Sequence, residues 1–462
     1  MSSTKDRFGF DWSGVQGTRF WRGPHLGRRV FFRHMASAVG GYFLLPGGAL
    51  EKVAAAAPAT RATADFCIFV MMDGGPSHID TFDLKVGAWT PAAFNATTYN
   101  GVAWPQGLMP KLAGQMDDIA LLRSVKPWAT AHGLAQSWLQ IARNPISGQN
   151  RVAPHIGSIT SLELGVRTAN RTLPGFLALN TGLTQGQGYL APEHAPFYVS
   201  PNGAALRNTT HFDSQAIFDR RYGMLADLDK ELHETAELGS AGLEIAKWNE
   251  GARKLMYNAD VTRIFTFDQA ERVRYGNSGF GSACITARNL IRANMGTRFI
   301  QINVGGWDMH TNIYTGGLNA ANVNSLGRVF DAGLGTLIAD LKAEGLLDRT
   351  LIVAMGEFGR TLDAVNAGNG RDHHQQQAAL VAGAGIRGGR ALGSTDGRGA
   401  RTDSPGWARE RDIRAEDIGA TIYSALGIDW TTVRRDDPSG RGFEYIPSAK
   451  DDLYGPIEEL WS

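Results

Sequence analysis

An α/β protein, with a mainly parallel sheet sandwiched by helices, is predicted from three observations. Short apolar runs ending in glycine or polar clusters read as buried strands. They are FCIFVMM (66–72), DIALL (118–122), RFIQINV (298–304), TLIVAM (350–355) and AALVAG (378–383). Helical patterns, ITARNLIRANM (285–295) and VNSLGRVFDAGLGTLIADLKAEG (323–345), precede two of these runs, as in a parallel sheet with crossover helices. Glycine supplies 57 of 462 residues, about one in eight against a usual ~7%. With no repeat period behind it, that excess belongs in tight turns between strand and helix.

The chain begins differently. RRVFFR (28–33), ASAVGGYFLLPGGAL (36–50) and AAAAP (54–58) give a charged region, a short apolar region and a small-residue cleavage site. That is the layout of an export signal. Arg28 and Arg29 ahead of Phe31, Phe32 and Arg33 resemble the twin-arginine (Tat) type, read by the Tat export machinery. The apolar run is too short and interrupted for a permanent membrane span. Residues 1–57 are therefore expected to be a signal peptide and 58–462 a periplasmic or secreted α/β domain.

Within that domain the first run holds Cys67, and Cys284 lies in GSACITARNLI (281–291). Both read as small buried hydrophobes, without the basic neighbour that marks a reactive thiol. Residues 213–258 are charged and glycine-poor, and read as a helical hairpin inserted into the domain as a cap over the site. In the 323–345 stretch, Leu326, Val329, Phe330, Leu334, Leu337, Ile338 and Leu341 share one face, a core-facing helix. GAGIRGGRALG (383–393) lacks the lysine of a phosphate-binding loop, and Arg387 to Arg414 mixes acids among its basics as a solvated loop does.

Composition excludes several classes. Forty-six Lys and Arg against 45 Asp and Glu give a net +1, with 43% hydrophobic and 20% charged residues and 2 Cys. A disordered chain and a disulfide scaffold are both ruled out. Residues 1–57 hold 8 basic and 3 acidic residues, which leaves 38 basic and 42 acidic, a net −4. A mildly acidic chain disfavours nucleic acid as a partner.

Ligands in open parallel sheets bind beyond the carboxyl ends of the strands. After the first run come Asp73, Ser77, His78 and Asp80; after the 298 run, Asp308 and His310; after the 350 run, Glu357 and Arg360. Arg371, Asp372, His373 and His374 stand just before the 378 run. Carboxylates and imidazoles at strand ends are ligands for divalent ions such as Zn, Mn or Ca. Arg360 or Arg371 would add bidentate hydrogen bonds to a tetrahedral anion.

These segments (GGPSHIDTFDLK, GGWDMHTN, GEFGRT, GRDHH and EDIGATIYSALGID) resemble an exported sulfatase-like family of the alkaline phosphatase superfamily, over roughly residues 66–430. The resemblance implies the superfamily fold with a metal site at the strand ends. It implies Asp73 as the first-strand ligand, with His78 and Asp80 as substitutes, and Asp308 and His310 as the Asp/His pair of a second metal. The spacing here is D-x-H against the usual D-x-x-x-H. Glu357 stands where phosphatases carry Asp-His. His373 falls at the final His ligand, with Asp372 a ligand or its orienting partner. The position of the superfamily nucleophile is His132, so the formylglycine route of sulfatases, which needs a Cys, is excluded there. His132 reads first as a metal ligand or a helix-terminal residue and second as a covalent nucleophile; Ser77 and Ser124 are the hydroxyl candidates. Two functions follow as expectations: a metal-dependent hydrolase of small-molecule or glycan phosphate or sulfate esters, or a non-catalytic exported binding or assembly protein that keeps the fold. A third, lesser one is a glycan- or lipid-headgroup-modifying transferase using Trp89, Trp104, Trp128 and Trp138 as stacking surfaces.

Overall fold

The computed structural model describes residues 59–462 apart from 147–151, 166–170, 183, 236–238 and 316–321. The expected signal at 1–57 lies outside the described residues. No described helix is long and apolar enough to cross a membrane.

Eight strands form the central sheet: β1 (Phe66–Met71), β2 (Ile119–Val125), β3 (Phe176–Leu179), β4 (Phe197–Val199), β5 (Phe299–Asn303), β6 (Thr350–Met355), β7 (Gln377–Ala382) and β8 (Arg390–Leu392). Their order across the sheet is β8-β2-β7-β6-β1-β5-β3-β4. All pairings are parallel except those of β7, which runs antiparallel to both β2 and β6. The strands β1, β5 and β6 are buried at every residue, β1 and β6 as their almost wholly apolar sequences require and β5 in spite of Gln301 and Asn303.

Helices cover both faces. On one side lie α5 (Gly279–Ala293), α6 (Val323–Phe330) and α7 (Thr336–Ala343), the last two joined through a π-turn at Asp331–Gly335. Phe330, Leu334, Leu337, Ile338 and Leu341 of that stretch are wholly buried, and Leu326 and Val329 pack at its margin. On the other side, α2 (Ile156–Gly165) and α8 (Ala415–Ala425) close a second apolar layer with Phe69, Phe176, Phe299 and Val353. Cys67 and Cys284 are free and buried.

Residues 213–258 contain α3 (Gln215–Thr235) and α4 (Gly239–Leu255). Among the described residues, α4 lines a cleft with Phe197 to Thr209, in and just beyond the edge strand β4, and another with Leu173 to Gly175 and Gly296 ahead of β3 and β5; neither cleft includes a residue of the rim. Composition identifies such a hairpin but says nothing about which edge it packs on.

Candidate metal centre

The chain after β1 turns back sharply at Gly74 and Gly75, whose φ values of +107° and +70° favour glycine. A Cβ on Gly74 would sit 2.4 Å from the Asp308 backbone nitrogen, so the glycine lets the loop after β5 close on the loop after β1. Trp307 N–H donates to the Asp73 carbonyl across that contact, 3.1 Å. Because β7 runs antiparallel, its amino end lies at the same rim. The tight pairing of His373 with Arg360 and His374 with Gly359 docks the GRDHH segment there. The fifth contribution is the amino end of α1 (His132–Ile141), which follows β2.

At the centre stands the Asp308 carboxylate. Its Oδ1 lies 2.6 Å from Arg360 Nη2, 3.0 Å from His310 Nε2, 3.3 Å from His132 Nε2 and 3.5 Å from His373 Nε2. Each imidazole is held from behind through its other nitrogen. His132 Nδ1 meets Glu357 Oε1 at 2.6 Å, His310 Nδ1 meets Asp372 Oδ1 at 2.6 Å, and His373 Nδ1 meets the Thr130 carbonyl at 2.8 Å. Those acceptors place the proton on Nδ1 and leave each Nε2 lone pair facing the same point. His132, Asp308 and His373 offer ligand atoms all within 4.8 Å of one another. The His132 Nε2 atom is buried with no hydrogen-bond partner, an orphan that a cation would satisfy. The ring of Phe358 packs on His132 and His373 at 4.7 and 4.4 Å between centroids.

Charges tune these groups in opposite directions. The hydrogen bond to Glu357 raises the His132 pKa above its ordinary value against a burial effect. Burial, with Arg360 and the other imidazoles nearby, lowers that of His373. Burial pushes Asp308 up, but the Arg360 hydrogen bond and charge outweigh it and hold the carboxyl below the usual range. Burial raises Asp73 to about 6, against the hydrogen bond from Asn303 and with the Glu357 charge adding to the rise.

The remaining predicted residues separate into two groups. Asp73 and Glu357 stand at the rim: Gly74 N–H donates to Glu357 at 3.0 Å, and Asn303 Nδ2 donates to Asp73 at 2.6 Å. Ser77, His78 and Asp80 instead lie beneath it on a short 3-10 turn, all buried. The Ser77 hydroxyl donates to Asp80, so it is not poised as a nucleophile. Asp80 is fully buried against Arg371, with Nε at 2.9 Å and the Tyr314 hydroxyl at 2.6 Å, and offers no face for a metal. Arg371 is thereby committed to that pair and does not reach an anion. His78 Nε2 donates to the Gly399 carbonyl at 2.8 Å and its Nδ1 accepts from Arg360 N–H, so it is an anchor. Ser124 donates to the Pro405 carbonyl. Sequence reading missed Thr130, Gln136, Asn303 and Phe358. The last follows Glu357 directly, and a polar Asn closing an apolar strand was a visible signal.

A family model, "Protein of unknown function (DUF1501)", matches residues 64–444. The chain belongs to this family. No curated protein matches it significantly. Among solved structures, this DUF1501 chain is similar to a phosphonate monoester hydrolase from Silicibacter pomeroyi (11% identity, 86% of this chain and 76% of that one, TM-score 0.40). It is also similar to a sulfatase from Pseudoalteromonas sp. (13%, 79% and 68%, TM-score 0.38). A third similarity is to an alkaline phosphatase superfamily protein from Vibrio parahaemolyticus (11%, 81% and 69%, TM-score 0.34).

Proposed function

We propose that the chain is an exported, metal-dependent hydrolase of phosphate or sulfate esters. One observation carries the reading: three imidazole Nε2 atoms converge on Asp308, each with its Nδ1 fixed by an acceptor. His132, His373 and Asp308 would hold a divalent ion, with His310 beside them at 3.0 Å from Asp308, and the orphaned His132 Nε2 and the imidazole–carboxylate donor set fit Zn or Mn. Such an ion, when bound, supplies Lewis acidity and a water of lowered pKa.

The chain's own groups supply the rest. Arg360 is fully buried, its guanidinium gripped by the carbonyls of Gly74, Gly75 and Arg371 and paired with Asp308, so it fixes the position and charge of that carboxylate at the rim. Helix α1 begins at this rim with Ala131 as N-cap and no side-chain cap, so its first backbone N–H groups remain available to an anionic oxygen. Glu357 keeps the His132 proton on Nδ1 and the Nε2 lone pair directed at the site. The side chains of Asp308, His310 and Asp372 are about half exposed, at 46%, 43% and 56%, so the rim admits the terminal ester of a bulky substrate, including a glycan.

Metal analysis of the purified protein and a screen of aryl phosphate and aryl sulfate esters test the reading. Bound divalent metal and turnover abolished by Asp308→Ala are expected; no bound metal, or turnover unchanged in that variant, refutes it. The 2.6 Å Arg360–Asp308 pair favours a second reading, a metal-holding binding protein, because it occupies the guanidinium. Metal binding without any ester turnover would select that one.

A further inference from the structure

Strand β5 lies in the middle of the sheet between β1 and β3, yet it carries two polar side chains, Gln301 and Asn303, on one face. Gln301 is 0% exposed and Asn303 5%. Their neighbour on that face, Phe299, packs against Phe176 and His155, itself 0% exposed. Three buried polar groups in an apolar layer would each cost about 1–3 kcal/mol if unpaired. They are instead joined in series: His155 Nε2 to Gln301 Oε1 at 2.8 Å, Gln301 Nε2 to Asn303 Oδ1 at 2.8 Å, and Asn303 Nδ2 to Asp73 Oδ2 at 2.6 Å.

The direction of this series is set at its far end. The backbone N–H of Gly157 donates to His155 Nδ1 at 2.8 Å, and a backbone amide only donates. His155 therefore carries its proton on Nε2 and donates to the Gln301 carbonyl. The Gln301 amide must then point its NH2 at Asn303, and Asn303 must point its own NH2 at Asp73. Each link admits one orientation.

We propose that Asn303, Gln301 and His155 form a one-way hydrogen-bond relay that delivers a fixed donor to Asp73, making them positioning residues for the rim. Asp73 Oδ2 is thereby pinned by a fixed donor. The inference deepens the hydrolase reading and rests on it for its functional meaning. The relay acts on Asp73 from below, so its members touch no substrate.

Two measurements test it. Nitrogen-15 NMR of the full chain reads the His155 tautomer, assigned by difference with His155→Gln. The Nε2–H form is expected; the Nδ1–H form overturns the relay. The second is calorimetric titration of Mn2+ into wild type, Gln301→Glu, Asp73→Asn and the double variant. A glutamate at 301 accepts at both ends, so Asn303 must turn and present its oxygen to Asp73. Asp73 interacts through its charge with Glu357, the partner that holds His132, so Mn2+ affinity is expected to fall about tenfold in Gln301→Glu, although residue 301 touches neither Asp73 nor the ion. In the Asp73→Asn background the same change should cost little further, because a donor-accepting carboxylate is no longer there. Equal losses in both backgrounds, or none in either, overturn the relay. Should wild type bind no Mn2+, the hydrolase reading fails, while the relay is still decided by the tautomer.

Discussion

Glu357→Gln isolates the tether behind His132. Glu357 is 0% exposed, and its Oε1 alone receives His132 Nδ1 at 2.6 Å, Gly74 N–H at 3.0 Å and Gln136 Nε2 at 3.1 Å. A glutamine carbonyl in the same place keeps the three contacts but removes the charge. Charge-assisted bonds are about twice as strong as neutral ones, so the change forfeits about 1 kcal/mol per contact, or roughly 3 kcal/mol. Against this, a carboxylate no longer has to be buried, which recovers a few kcal/mol. The two nearly cancel, and urea unfolding should place the variant within about 2 kcal/mol of wild type. Metal affinity has no such compensation. His132 loses its anionic partner, and Zn2+ or Mn2+ binding by calorimetry should weaken about 10- to 100-fold, or roughly 1.4–2.7 kcal/mol. The His132 pKa, held up mainly by this hydrogen bond, should fall in an NMR titration. Unchanged affinity would refute the tether, as would an affinity loss that merely follows collapse of the fold.

Other outcomes are expected from the same geometry. Asp80→Ala leaves the fully buried Arg371 without its carboxylate and should destabilise by about 3–5 kcal/mol in chemical denaturation, marking Asp80 as a support and not a ligand. Gly370→Ala would set a Cβ 2.0 Å from the His310 carbonyl carbon, so the GRDHH segment must shift; loss of at least about 1–3 kcal/mol in stability and of metal affinity together is expected. Burial pushes the His155 pKa down to about 3 and that of His78 to about 4. Between those values and ~6.5 the unfolded chain binds protons that the folded chain refuses, so stability falls as pH falls through that window. His155 alone accounts for roughly 3–6 kcal/mol of it, and His155→Gln should flatten the acid limb of a pH series of denaturant melts.

Much of this was legible before any coordinates. Strands β1 and β6 announce themselves as apolar runs closed by Asp-Gly-Gly and Gly-Glu-Phe, because a strand buried on both faces has no polar alternation to hide it; β5, closed by Gly-Gly-Trp, is legible in spite of Gln301 and Asn303. Strands β3, β4 and β8 did not, since they are only three or four residues long and β8 sits among glycines. At the site, Asp308, His310, Glu357 and His373 were visible as strand-end chemistry. The fate of Ser77, His78 and Asp80 was not: two positive-φ glycines redirect the chain, and only coordinates show that it dives under Arg360. A backbone carbonyl such as that of Thr130 leaves no trace in side-chain pattern, and the antiparallel course of β7 is a matter of pairing that no local run encodes.

That course has a consequence for how the chain is made. β2 finishes at Val125 and lies between β7 and β8, both of which come more than 250 residues later. A growing chain at roughly 5–20 residues per second therefore carries the apolar segment IALLRSV with both edges unpaired for roughly 10–50 s. During synthesis this strand, rather than any part of the rim, is the segment most in need of a chaperone's protection.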